Sequence, residues 1–451
     1  MSLLVQQNTT READLVPVRH GRMMVSPFTF YRGAAKVMAS DLAGSATAGL
    51  DVQLCGDAHL SNFGAYASPE RRLVFGLNDF DETLPGPFEW DLKRMAASFT
   101  IAARNNTFSK RDAKAVTAES VKAYRLAMAE FAAMRTLDVW YAHLSEDDIQ
   151  QAMREFKEEA AAAAKSGKRS SSKKHGKGKA ADRLAEQVRA GQKNLRKAHT
   201  RDHLHALSRF AEVVDGRYRI VSQPPAVVPA RELGGVFDLS PDEIRGVVES
   251  QFQAYVSTLS DDRRQLLERF TIVDVARKVV GVGSVGTRAF IVLLQGRDDH
   301  DPLFLQVKEA TRSVLEEHLP KTRYTTPGQR VVEGQRLMQE SSDIFLGWTE
   351  GVQEDRFYYW RQLRDMKGSA LVETMTPDGM TFYARLCGST LARAHARSGD
   401  AAAIAAYLGT GKEADRAVTE FAARYADQNQ ADYDAFVQAV KDGRIDAVSE
   451  A

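Results

Sequence analysis

Residues 54–91 read LCGDAHLSNFGAYASPERRLVFGLNDFDETLPGPFEWD, and the organisation of the whole chain turns on this stretch. Asp57, His59 and Asn62 fall in a segment without helical or strand periodicity, which predicts a loop. Arg72–Leu77 (RLVFGL) predicts a short strand, and Asn78-Asp79-Phe80-Asp81-Glu82 follows at once. Polar groups at the end of a buried strand cost free energy unless they bind each other or a cation. One reading is a hydrogen-bonded turn network. The other is a site for a divalent metal and an anionic ligand, and oxygen donors of this kind suit magnesium rather than zinc.

Composition narrows the field around that stretch. A chain of 451 residues is long enough for two or three domain-sized units with cores of their own. With 43% hydrophobic and 27% charged residues and a formal net charge of +1, it reads as globular rather than as a dedicated nucleic-acid binder. Two cysteines, Cys55 and Cys387, exclude a disulfide framework or a cysteine–zinc module. The N-terminal MSLLVQQNTTREADLVP lacks the apolar core of a signal peptide, and no apolar run approaches a membrane span. A soluble, cytoplasmic protein with no membrane partner is expected.

Ahead of the organising stretch, residues 1–25 carry few periodic apolar positions and are expected to wrap the surface as an N-terminal extension. Ser26-Pro27 reads as an N-cap and first-turn proline, predicting one helix through FTFYRGAAKVMASDLAG to Gly44. Arg32 within it is a candidate for a phosphate or a carboxylate, with a structural role as its rival. Behind the stretch, EWDLKRMAASFTIAARN predicts a buried helix whose Asp91 and Arg94 tie the preceding loop down. Further helices extend a helical lobe over residues 26–269. Within it, residues 165–181 (KSGKRSSSKKHGKGKA and its flank) break all periodicity and read as a disordered, solvated basic loop. His199 and His203 have a spacing that zinc can use, but with no HExxH glutamate or nearby cysteine, surface or capping roles are expected.

At Phe270 the texture changes. TIVDVARKVVGVGSVGTRAFIVLLQG predicts a strand, a glycine turn and a second strand, and PLFLQVKEA a third strand ending at Lys308 and Glu309. Gly281, Gly283 and Gly286 form GxGxxG, weak evidence by itself. A dinucleotide-binding version requires a helix directly after the glycines, whereas TRAFIVLLQ predicts a strand. A glycine loop between antiparallel strands, with a lysine on the third, is the kinase-type phosphate cover. PGQRVVEGQRLM then predicts a helix whose Glu333 faces Lys308, with Glu316 and Glu317 as competing partners. A decoy P-loop in LGTGKEAD fails, because Ala406 and Glu413 stand where glycine and Ser/Thr are needed.

These pieces fit transfer of a phosphoryl group from ATP, where catalysis is positioning plus charge stabilisation. Asp57 is the expected base for an acceptor hydroxyl. Asn62 lies five residues on, as asparagine does in the kinase catalytic loop. Asn62, Asp79 and Asp81 are the expected magnesium ligands, while Gly281, Gly283, Gly286, Lys308 and Glu333 form the nucleotide half. The expected partners are therefore ATP, Mg and an acceptor hydroxyl, on a small molecule or a protein, that the motifs do not name.

CGDAHLSNF resembles the HGDxHxxN loop of aminoglycoside and choline phosphotransferases in the protein-kinase-like superfamily, and NDFDE is similar to their metal-binding acid segment. Cys55 stands where that family carries histidine. The fuller set, SPFTFYRGAA, CGDAHLSNFG, LNDFDETLPGPFEWDLKR, RQLRDMKGS and LARAHARSGD, resembles an uncharacterised bacterial family, domain of unknown function two-two-five-two. The kinase-like resemblance implies an α+β, two-lobed fold with a large helical lobe and a small antiparallel-sheet lobe at 270–368. Because the glycine loop follows the catalytic loop here, such a fold must be circularly permuted or heavily rearranged, and permutation is the expectation, with C-terminal helices at 369–451 completing the helical lobe. Three rival functions share the residues: AMP transfer in the same pocket, a non-catalytic nucleotide-binding module, and a metal-dependent hydrolase built on Asp57, His59, Asp79 and Asp81.

Overall fold

Two short antiparallel ladders frame the stretch quoted above. In the computed structural model, which describes residues 2–165, 193, 196–199, 203–214, 216–233, 241–279, 281–363 and 366–448, strand β1 (Asp51–Leu54) is followed by β2 (Phe63–Ala67), β3 (Leu73–Leu77) and β4 (Leu84–Pro87). β1 pairs with β4, Leu54 opposite Leu84, and β2 pairs with β3, Phe63 opposite Leu77. The chain thus crosses from one ladder to the other at 55–62 and returns at 78–83. The two connecting loops run side by side, and they carry Asp57, His59, Asn62, Asp79 and Asp81. Strand β3 is buried at all five residues, so both of its faces are packed and a slip of one residue would exchange the two sets of core contacts.

The ladders rest on helices. Phe88–Asn105 buries nearly every residue from Phe88 to Ala103, because it is enclosed by helices Lys110–Ala133 and Glu413–Lys441 and by Pro377–Ala396. Ser109 caps Lys110–Ala133 by accepting from the Asp112 amide. The helix expected from Ser26 to Gly44 is two helices, Pro27–Gly33 and Ala35–Ala43, broken where Ala34 takes φ −113° and ψ 37°. Its start is as read: the Ser26 and Thr29 side chains satisfy each other's backbone amides in a capping box.

A second core surrounds a six-stranded sheet. After the hairpin of β5 (Ala211–Val214) and β6 (Arg217–Ile220) come β7 (Val227–Pro229), β8 (Thr271–Lys278), β9 (Ala289–Gln295), β10 (Pro302–Glu309), β11 (Gly347–Glu350) and β12 (Phe357–Gln362). Their order is β11–β12–β10–β9–β8–β7. Strand β13 (Gly368–Ser369) joins β2 instead. Every pairing between described strands is antiparallel, making the chain α+β. The sheet draws in residues ahead of 270: β7 edges it, and Phe252 and Tyr255 of helix Pro241–Val256 pack on Trp360, the Tyr255 and Trp360 rings stacked at 4.6 Å. All eight residues of β10 are buried, so its final lysine is delivered to the site by a strand held on both faces. Among the described residues, no helix is long and apolar enough to cross a membrane. The basic run at 165–181 lies, apart from Lys165, outside the described residues.

Candidate functional site

The first loop is tied at its base. Gly56 adopts φ +83°, and a Cβ there would collide with the Glu82 carbonyl; only glycine lets the two loops lie this close. Asp91, in the first turn of its helix, accepts from the Cys55 amide at 2.7 Å and the Gly56 amide at 3.1 Å. Behind it, His395 Nε2 lies 3.3 Å from Asp91 and His395 Nδ1 2.8 Å from the Tyr124 hydroxyl. The loop therefore reaches Asp57 with little freedom.

Asp57 itself is matched to one cation. Arg94 Nε donates to its carboxylate at 2.8 Å, while Arg94 Nη2 donates to the Tyr31 carbonyl at 2.8 Å and the guanidinium lies 3.8 Å from the centre of the Tyr31 ring. Burial raises the Asp57 pKa and Arg94 opposes it, with burial prevailing. A carboxylate of raised pKa is a better proton acceptor near neutral pH than a surface one. His59 Nδ1 accepts from the Ser61 amide at 3.2 Å, which assigns the proton to Nε2, 3.7 Å from the other Asp57 oxygen. Burial, with the charges of Arg32 and Arg94, holds His59 well below the usual range and therefore neutral. Asn62 Nδ2 donates to the Asp57 carbonyl at 2.6 Å, leaving the Asn62 amide oxygen to face elsewhere.

The second loop meets the sheet. Lys308 Nζ is hydrogen-bonded to Asp81 and lies 3.7 Å from Asp79 Oδ1. Tyr359, the cross-strand partner of Lys308, donates its hydroxyl to the other Asp81 oxygen at 2.7 Å. The small Ala289 faces Lys308 on the other side. Arg361 donates to the Asn78 carbonyl at 3.2 Å, and Arg330 to those of Asp81 at 2.8 Å and Thr83 at 2.5 Å. The Asn78 amide donates to the Asn62 carbonyl at 2.8 Å, joining the two loops directly.

Charge is unevenly settled here. Burial would lower the Lys308 pKa, but Asp79 and Asp81 outweigh it and keep the ammonium charged. Burial would raise Asp81, but Lys308 and the Tyr359 hydroxyl hold it below the ordinary carboxylate range. Asp79 stays raised, because burial and the Asp81 charge exceed what Lys308 supplies. Glu82, whose carboxylate accepts from the Val314 amide at 2.7 Å, is pushed up to about 6 by burial.

The glycine loop closes over this pair. Gly281 (φ +66°) and Gly286 (φ +86°) occupy left-handed conformations, and a Cβ on Gly283 would press to 3.2 Å against the Arg32 carbonyl. Ser284, at the loop's tip, places its hydroxyl 3.4 Å from Asp81. The N-terminal extension does more than cover surface. It includes helices Ser2–Asn8 and Val16–Met24 and grips the loop's carbonyls: Arg22 on Gly281 at 2.6 Å, Arg11 on Val285, and the Glu12 amide on Gly286 at 2.7 Å.

Of the residues expected to form a site, Asp57 and Asn62 share one loop, and Asp79, Asp81, Lys308 and the glycine loop converge. Glu333 stands apart from Lys308 in its pairing: its ion pair is with Arg336 at 3.0 Å. Glu317 takes Lys36 at 2.6 Å, and Glu316 lies 3.8 Å from Arg330. Sequence reasoning missed Tyr359 and Ser284. In the sequence Tyr359 reads as one more aromatic of an apolar strand; only the β10–β12 register sets it beside Lys308.

A divalent cation fits this donor set in part. Among the described residues, no three His, Cys, Asp or Glu side chains gather into a metal cluster. An ion would therefore rely on an amide oxygen beside carboxylates, which is magnesium's preference and not zinc's. Asn62, Asp79 and Asp81 are the residues that would hold it: Asn62 Nδ2 is spent on the Asp57 carbonyl, while Asp79 and Asp81 lie side by side at Lys308.

No curated protein and no solved structure matches the chain. A family model described as an uncharacterized protein conserved in bacteria (DUF2252) matches residues 11–179 and 149–439, taking in the acid loops, the glycine loop and Lys308 alike. The chain belongs to that family.

Proposed function

We propose that the chain is an ATP- and magnesium-dependent phosphotransferase acting on a hydroxyl group, with its small sheet and helical part corresponding to a permuted kinase-like pair of lobes. The observation that carries this reading is the meeting at Asp81: Lys308 from β10 and Ser284 from the glycine loop both reach a carboxylate of the second loop, across 227 and 203 residues of chain respectively. A phosphate cover, a cation and a pair of acids in one place is what a triphosphate with its metal requires.

In this reading Asp57 takes the proton of the acceptor hydroxyl as its oxygen approaches phosphorus. Arg94 and Asp91 hold Asp57 and its loop in place, and Asn62 orients that loop through the Asp57 carbonyl. Lys308 leaves Asp81 to contact the phosphates, so nucleotide entry exchanges one anionic partner for another. Asn62, Asp79 and Asp81 would hold magnesium, which would supply positive charge to balance the phosphates.

The test is nucleotide turnover by the full chain with MgATP, followed by product analysis. Asp79→Asn is expected to lower turnover by on the order of 10²–10³-fold while the thermal unfolding midpoint holds. Unchanged turnover in that variant sinks the assignment. Pyrophosphate in place of ADP moves the same residues to AMP transfer, and metal binding without nucleotide binding favours the hydrolase.

A further inference from the structure

Arg32 has a side chain that takes no part in the transfer described above. It ends helix Pro27–Gly33, and its backbone carbonyl is the surface against which Gly283 of the glycine loop is packed. Its neighbour Tyr31 gives its carbonyl to Arg94, the arginine that holds Asp57, so Arg32 lies beside the first loop, and the charges of Asp57, Glu373 and Asp79 favour its charged form. It thus lies among the phosphate cover, the base and the metal-binding acid.

What separates Arg32 from the other arginines of this region is that its guanidinium is unspent. Arg94 has Asp57 and a carbonyl; Arg330 has three carbonyls; Arg19 has a carbonyl and two side-chain amides. Among the described residues, the Arg32 guanidinium makes no hydrogen bond or ion pair, and its Nε is buried without a partner. A structural arginine in a buried setting is normally satisfied, because the planar fork is costly to desolvate without acceptors. Burial accordingly lowers the Arg32 pKa despite three nearby carboxylates. Beside it, the amides of Gly283 and Ser284 make no hydrogen bond to the described residues either. Backbone donors without partners on one side and a half-buried cation with an unpartnered Nε on the other are the groups that a small, highly charged anion requires.

The geometry points to Arg32 as a catalytic residue that binds the terminal phosphoryl group of the nucleotide and carries its charge during transfer. This rests on the phosphotransferase reading and deepens it. In the step, the bond from the terminal phosphorus to the β–γ bridging oxygen breaks and its electron pair leaves with ADP. A bond from the acceptor oxygen to the same phosphorus forms, and the acceptor proton passes to Asp57. Water serves as acceptor when no other hydroxyl is supplied, giving ADP and phosphate. A bidentate guanidinium on the equatorial oxygens suits this charge better than an ammonium does.

The experiment titrates MgATP and MgADP into the full wild-type chain, Arg32→Gln and Arg32→Lys, with ATP hydrolysis and thermal unfolding measured on the same samples. Expected for Arg32→Gln is an ADP affinity within about twofold of wild type, an ATP affinity weaker by about tenfold, and hydrolysis slower by on the order of 10²–10³-fold. Arg32→Lys is expected to regain part of the ATP affinity and little of the rate. Equal loss of both nucleotides, or no change in ATP affinity and rate, overturns the role of Arg32 and leaves the phosphotransferase reading standing. A wild-type chain that binds neither nucleotide overturns both.

Discussion

The two acid loops start and finish on the same ladders, yet they treat charge in opposite ways. On the first, Asp57 meets a dedicated arginine: its side chain is 19% exposed, that of Arg94 4%, and Arg94 is also bonded to a carbonyl and laid over Tyr31. On the second, two carboxylates share one ammonium, and they are the exposed members, Asp79 at 35% and Asp81 at 29% against 3% for Lys308. In the first, one carboxylate has a hydrogen-bonded cation of its own. In the second, two carboxylates adjoin one ammonium and stand further out toward solvent. The contrast separates a carboxylate paired with its own cation from two that divide one between them.

Replacing each cation in turn tests that contrast most severely. Arg94→Met leaves a buried carboxylate alone and is expected to cost about 3–5 kcal/mol of unfolding free energy, unaltered by magnesium. Lys308→Met is expected to cost less, about 1–3 kcal/mol, because its carboxylates can turn to water. Millimolar magnesium is expected to restore much of that loss, since the ion replaces the missing ammonium. Denaturant unfolding with and without magnesium measures both; rescue of Arg94→Met, or failure to rescue Lys308→Met, breaks the distinction.

A smaller effect concerns pH. Glu82 in the second loop has its pKa raised to about 6, so the folded state binds that proton more tightly than the unfolded chain does. The stability it contributes is complete below its unfolded value, which is about 4.3, and is lost as pH rises through about 6. The loss is about 2 kcal/mol at most, at about 1.4 kcal/mol per pKa unit. Glu82→Gln is expected to flatten the stability profile over this window. A profile as steep as that of the wild type would place the titration elsewhere.

The least effect is expected at Glu333. Its partner Arg336 is one turn away on a half-exposed helix face, and such pairs contribute about 0.5 kcal/mol. Glu333→Gln is expected to leave unfolding within that margin and MgATP turnover unchanged. A drop in turnover matching that of Asp79→Asn would return Glu333 to the lysine.

What could be read in advance follows from range. Loop 55–62, strand β3, the glycine turn and the strand that ends at Lys308 depend on neighbours a few residues away, and their residues announce them. Ser26, Ser109 and Thr326 mark helix starts for the same reason, each accepting from an amide three residues on. The support given by Asp91 and Arg94 was also legible, since a helix beginning just behind a polar loop must turn its first acids and bases toward it. Glu333 was not, because its ion pair lies within its own helix, with Arg336, and nothing local chooses between that arginine and a lysine on another strand. The break at Ala34 carries no glycine or proline to mark it. The two-against-one arrangement at Lys308 depends on a contact 227 residues long, which no local pattern encodes.

That separation has a temporal side. Asp81 leaves the ribosome 227 residues before Lys308. At roughly 5–20 residues per second, the nascent chain carries its two loop acids for about 10–45 s before the ammonium is made. Helix Pro377–Ala396, which walls the other side through His395 and Asp91, comes later still. The first loop has its cation, Arg94, within 37 residues, whereas burying the second before Lys308 is made would bury charge that its own ammonium does not yet balance.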